Sequence, residues 1–113
     1  MLVILFRSRL TEAAGDDYRA MDDEISALAR DADGFEGVKS FRADDGERLT
    51  IVWWRDAESL ARWRNDPRHR VAQQTGRARW YESYDMEVAE LVRESRFRRP
   101  PAGTPGAPGA PGD

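Results

Sequence analysis

The chain has 113 residues, 40% of them hydrophobic and 35% charged, with a formal net charge of -3, one histidine and no cysteine. That length makes one domain with a modest core. The composition excludes a disulfide scaffold, a Cys-ligated zinc site, a thiol nucleophile and a His-rich metal site within one chain.

The slightly acidic balance also argues against a nucleic-acid partner, which calls for a basic excess. Lys39 is the only lysine among 18 basic residues, so positive charge is carried by planar guanidinium groups suited to fixed ion pairs. The apolar opening Leu2-Val3-Ile4-Leu5-Phe6 stops at Arg7, far short of the roughly 20 residues of a spanning helix. No targeting or membrane segment is expected, and the expected compartment is cytoplasmic.

Leu2 to Arg9 reads as a strand, and Thr11 to Gly15 as a connector. Residues Asp16 to Asp33 form a helix, with Tyr18, Met21, Ile25, Leu28 and Ala32 on one face, acids in its first turn and Gly34 as its stop. Val38 to Ala43 is a second strand, and Asp45-Gly46 a hairpin turn. Glu47 to Arg55 is a third strand; Asp56 then caps a short helix through Arg64. Pro67 opens another helix to about Arg79. Tyr84 to Val92 is the last strand, with Tyr84, Met86, Val88 and Val92 on alternate positions. From Pro100 the chain reads PPAGTPGAPGAPGD, a flexible tail without a large apolar residue, so the folded domain is residues 1–99.

This order of elements is the ferredoxin-like split βαβ arrangement, an α+β fold with a mainly antiparallel sheet and helices on one face. A sheet with one wet face alternates apolar and polar residues. Leu2 to Phe6 and Ile51 to Trp54 do not alternate; both runs are apolar on both faces. The helices cover one face, and a second copy of the same sheet is the expected cover for the other. A homodimer packed sheet to sheet follows.

On the helix after Pro67, His69, Ala72, Gln73, Gly76 and Trp80 fall on one stripe. His69 is the one side chain here whose ordinary pKa lies near neutrality. Gly76 costs about 1 kcal/mol in a helix interior, so the position leaves room for a ligand or a neighbouring backbone. Trp53 and Trp54 are adjacent on a strand and point to opposite faces. With Trp63 and Trp80 they give four indoles, enough to line a cavity for a flat apolar ligand. The segment Asp31-Ala32-Asp33-Gly34 lacks the spacing and the terminal glutamate of a calcium loop, and no metal site is expected. There is no phosphate loop, dinucleotide fingerprint or serine elbow.

Four segments together resemble the antibiotic biosynthesis monooxygenase family of dimeric α+β barrels. They are Gly34-Phe35-Glu36-Gly37-Val38, Trp53-Trp54 with Asp56 to Trp63, His69-Arg70-Val71-Ala72-Gln73, and Gly76 to Tyr81. The resemblance implies a dimeric α+β barrel and one of two oxygenase chemistries. In the haem-degrading branch Trp63 matches the helix tryptophan, but the haem-ligating histidine falls on Gln73 and the first-strand asparagine on Ser8. The cofactor-independent branch deprotonates a polycyclic phenol or anthrone so that the anion can pass an electron to oxygen. Taken with the stripe and the indoles, the expected roles are His69 as base or anion partner, Trp63, which matches the family's helix tryptophan, as ring contact, Ser8 and Gln73 as polar anchors, and Trp53 and Trp80 as walls, with no cofactor. The expected function is a small monooxygenase acting on an aromatic or quinone-like metabolite. The alternatives are a non-catalytic binding or stress-response dimer and, behind it, haem degradation.

Overall fold

The computed structural model describes residues 1–102; the expected tail from Pro100 lies mostly outside the described residues. The chain forms β1 (Leu2–Leu10), α1 (Asp16–Asp31), β2 (Phe35–Arg42), β3 (Arg48–Trp54), α2 (Ala57–Arg64), α3 (Pro67–Thr75) and β4 (Tyr81–Glu90). The strands make one antiparallel sheet in the order β2-β3-β1-β4. This is the expected α+β ferredoxin-like fold, with the helices over one face. Among the described residues no helix is long and apolar enough to cross a membrane.

Register decides which side chains meet the helices. Ile4 pairs with Val52 on β3 and Val88 on β4, and Phe6 with Thr50 and Met86, so even positions of these strands share the inner face. On β2 a register shift between Phe35 and Gly37 inserts an extra residue, which turns both Phe35 and Val38 inward. The outer face carries Val3, Leu5, Leu49, Ile51 and Trp53. Trp53 stands there too, opposite Val3 and Gly37, rather than at the inner wall expected for it. Trp54, fully buried, occupies that wall instead.

The helix ends have local causes. The α1 helix stops at Asp31, two residues early, because Ala32 is already extended (φ -73°, ψ 140°) and Gly34 takes a left-handed φ of 89°. Asp56 caps α2 by accepting a 2.8 Å bond from the Ser59 N–H. Asp66 caps α3 by accepting from the N–H groups of Arg68 and His69, with Pro67 in the first turn. The α3 helix does not continue to Arg79. After Thr75 the backbone widens into one π turn over Gly76–Trp80. A Cβ on Gly76 would stand 2.6 Å from the Tyr81 ring, so the missing side chain makes room for that tyrosine. β4 accordingly starts at Tyr81, three residues before its expected Tyr84.

Ile4, Trp54 and Leu60 form the buried core, with Leu2, Ala32, Phe35, Val52 and Trp63 packed against it. This core fills one end of the space between sheet and helices. The rest is a cavity.

Candidate functional site

The cavity holds about 810 Å³ between the inner sheet face and all three helices. That is within the size range of small-molecule sites. Its walls are largely rings, in two groups.

At one end Phe35, Trp54, Trp63 and His69 form a ladder. Phe35 meets Trp54 edge to face at 5.7 Å, Trp54 stacks on Trp63 at 6.0 Å, and Trp63 stacks on His69 at 4.4 Å with the planes 19° apart. Short α2 carries Trp63 and the capped start of α3 carries His69, so the bend between the two helices brings the rings together. The His69 Nδ1 lies 3.2 Å from the Trp63 carbonyl oxygen. A carbonyl only accepts, so Nδ1 donates and carries the proton, which leaves the Nε2 lone pair free for a ligand. Burial pushes the His69 pKa below its ordinary value, against the opposing pull of the Trp63 carbonyl and Asp66. The ring is therefore a neutral base at physiological pH. Among the described residues the buried indole N–H of Trp54 has no hydrogen-bond partner.

At the other end Phe6, Tyr81 and Tyr84 meet at 5.3–5.7 Å, and Tyr18 lies edge-on to Trp80 at 5.5 Å. Trp80 is held by its indole N–H, which donates to Asp17 at 3.2 Å. The same bond is the main reason the Asp17 carboxyl is held below its usual range. Burial, with help from the neighbouring Tyr18 hydroxyl, pushes the Tyr81 phenol above its ordinary value and keeps it neutral. Arg48 donates a 3.0 Å bond to the Tyr18 hydroxyl. Asp22 has an exposed outer edge, yet desolvation on its cavity side raises its carboxyl, with Arg48 pulling the other way.

The structure thus brings His69, Trp63, Gln73, Ser8 and Trp80 to one cavity and leaves Trp53 on the outer face. Trp54, one of the four indoles expected to line a cavity, joins them with Tyr81, and so do Tyr18 and Arg48, which the sequence did not point to. For Arg48 the signal was strand parity: it shares a face of β3 with Trp54 and pairs with Ser8.

A family model described as antibiotic biosynthesis monooxygenase matches residues 1–75. The chain belongs to the antibiotic biosynthesis monooxygenase family. It is 36% identical to the uncharacterized Bacillus subtilis protein YqjZ over 72% of this chain and 71% of that one. It is 28% identical to the jasmonate monooxygenase of Pyricularia oryzae over 88% of this chain, but the match spans only 48% of the fungal protein. Among solved structures, Rv0793 of Mycobacterium tuberculosis superposes with a TM-score of 0.72 at 18% identity, covering 84% of this chain and 98% of that one. SnoaB, a cofactor-independent oxygenase from Streptomyces nogalater, superposes with a TM-score of 0.68 at 15% identity, covering 82% and 94%. These two likenesses establish a shared fold. The resemblance read from the four sequence segments is the family the chain belongs to.

Proposed function

We propose that this family member is a cofactor-independent monooxygenase for a small aromatic or quinone-like molecule, bound in the cavity between sheet and helices. The observation that carries the reading is His69: a neutral imidazole, its Nδ1 proton committed to the Trp63 carbonyl, half-buried in an aromatic wall. Such a ring accepts a proton from an acidic phenol or anthrone and leaves the electron-rich anion in surroundings with little water. The resulting anion transfers an electron to dioxygen. Trp63 supports the base, Ser8 and Gln73 supply polar anchors, and Trp80 closes the far wall. The names of SnoaB and the fungal jasmonate monooxygenase support oxygenation as the reaction class. Oxygen uptake measured with a panel of hydroxylated anthrones and quinols, with no cofactor added, is expected to exceed the uncatalysed rate for at least one member. Ligands that bind without any uptake would replace this reading with that of a non-catalytic binding protein.

The working unit of this proposal is a homodimer. Val3, Leu5, Leu49, Ile51 and Trp53 make an apolar patch on the outer face, bordered by Arg7, Lys39, Asp85 and Glu87, and Phe41 beside Leu49 is 46% exposed. A second sheet laid against this face buries it. Light scattering should give twice the chain mass at micromolar concentration, and Ile51→Arg, at the centre of the face, should give the monomer. A wild-type monomer would refute the assembly.

A further inference from the structure

We infer that the cavity is built for an anionic ligand, an apolar body bearing a carboxylate that seats on the Arg48 guanidinium. This deepens the proposed function and rests on the cavity being its ligand site. The first observation is a reversal of charge. The whole chain carries a net charge of -3, yet the cavity lining contains four arginines, Arg48, Arg64, Arg70 and Arg77, against a single acid, Asp22. A low-dielectric cleft lined by one sign of charge concentrates ligands of the other.

The second observation is what Arg48 lacks. Among the described residues the other half-buried arginine, Arg9, is paired with Asp45 at 2.7 Å, but Arg48 has no carboxylate within 4.0 Å, and Asp22 reaches it only as a charge at longer range. Arg48 is half-buried at the start of β3, over the Tyr18 ring at 5.7 Å, and among the described residues its guanidinium makes one hydrogen bond, to the Tyr18 hydroxyl at 3.0 Å. That bond fixes the plane of the guanidinium and leaves its other N–H groups free. A planar fork held in place with free donors matches the two oxygens of a carboxylate. The three other arginines are exposed. They draw the anion in, while Arg48 holds it.

The test uses two probes of the same shape, anthracene-2-carboxylate and anthracene-2-carboxamide, each titrated by quenching of the tryptophan emission at pH 7.5. The wild-type protein is expected to bind the carboxylate about ten-fold more tightly than the amide, or better. Arg48→Gln is expected to abolish that preference and leave the affinity for the amide unchanged. Equal binding by the wild type overturns the inference, as does a preference that survives Arg48→Gln. If Arg48→Gln does not fold, the wild-type protein at low and high salt decides instead: the carboxylate should weaken and the amide should not. Failure to bind either probe removes the cavity reading beneath both proposals. Carboxylate preference without oxygen uptake keeps this inference and removes the oxygenase. Uptake with neutral quinols and no preference does the reverse.

Discussion

Replacing His69 by glutamine is expected to lower kcat/KM for any oxygenated substrate by about 10²–10⁴-fold, the usual range for a lost general base. Glutamine keeps a polar group on α3 but has no basic nitrogen. His69→Phe keeps a flat ring for the stack on Trp63, now 4.4 Å between centroids, and should be equally slow. If the phenylalanine variant retains activity, His69 supports Trp63 and takes no proton. The pH dependence supplies a second readout. Burial lowers the His69 pKa, so the base is already neutral at pH 7, and kcat/KM should fall only when the pH drops through that depressed value.

The same shift has a consequence for folding. Between the depressed native value and the unfolded value near 6.5, the unfolded chain binds the extra proton, so stability from this group falls as the pH drops below about 6.5. Urea midpoints at pH 7 and pH 5 should therefore separate further in the wild type than in His69→Gln.

How much of this was legible from the residues depends on whether a feature is set by local pattern or by contact at a distance. Apolar runs, the Asp45-Gly46 turn, the Asp56 cap and the Pro67 start each signal locally, and the order of elements follows from them. The end of α3 does not. Gly76-Arg77-Ala78-Arg79 still reads as helix, whereas the backbone widens into a π turn there, where the Tyr81 ring takes the space a side chain on Gly76 would need. The pair Trp53-Trp54 shows the same limit from another side. Alternation puts the two indoles on opposite faces, but only the pairing of Trp54 with Leu2 and of Trp53 with Val3 says which one looks inward. Arg48 is one arginine among many in the sequence. It becomes distinctive only when it is seen half-buried in the cavity without a carboxylate against it, whereas Arg9, the other half-buried arginine among the described residues, is paired with Asp45.

Gly34→Ala is expected to be the most destabilising single-methyl change in the chain, costing about 2–5 kcal/mol, the sum of left-handed backbone strain and overpacking. Gly34 joins α1 to β2 with a φ of 89°, and its carbonyl accepts a 2.8 Å bond from the Arg55 N–H. A Cβ there would lie 2.2 Å from both Cβ and Oγ of Ser59. Ser59 has nowhere to go: it is 1% exposed, and its hydroxyl and its N–H both donate to Asp56. Relief therefore means moving the first turn of α2, which carries Leu60 into the core and Trp63 to His69. Gly46 is the control, with the same φ of 89° and nothing within 4 Å of the added carbon. Gly46→Ala should cost only the backbone strain, about 1–2 kcal/mol. The difference between the two variants in urea unfolding isolates the contact with Ser59. If the two cost the same, α2 does not press on Gly34, and the placement of Trp63 beside His69 loses its support.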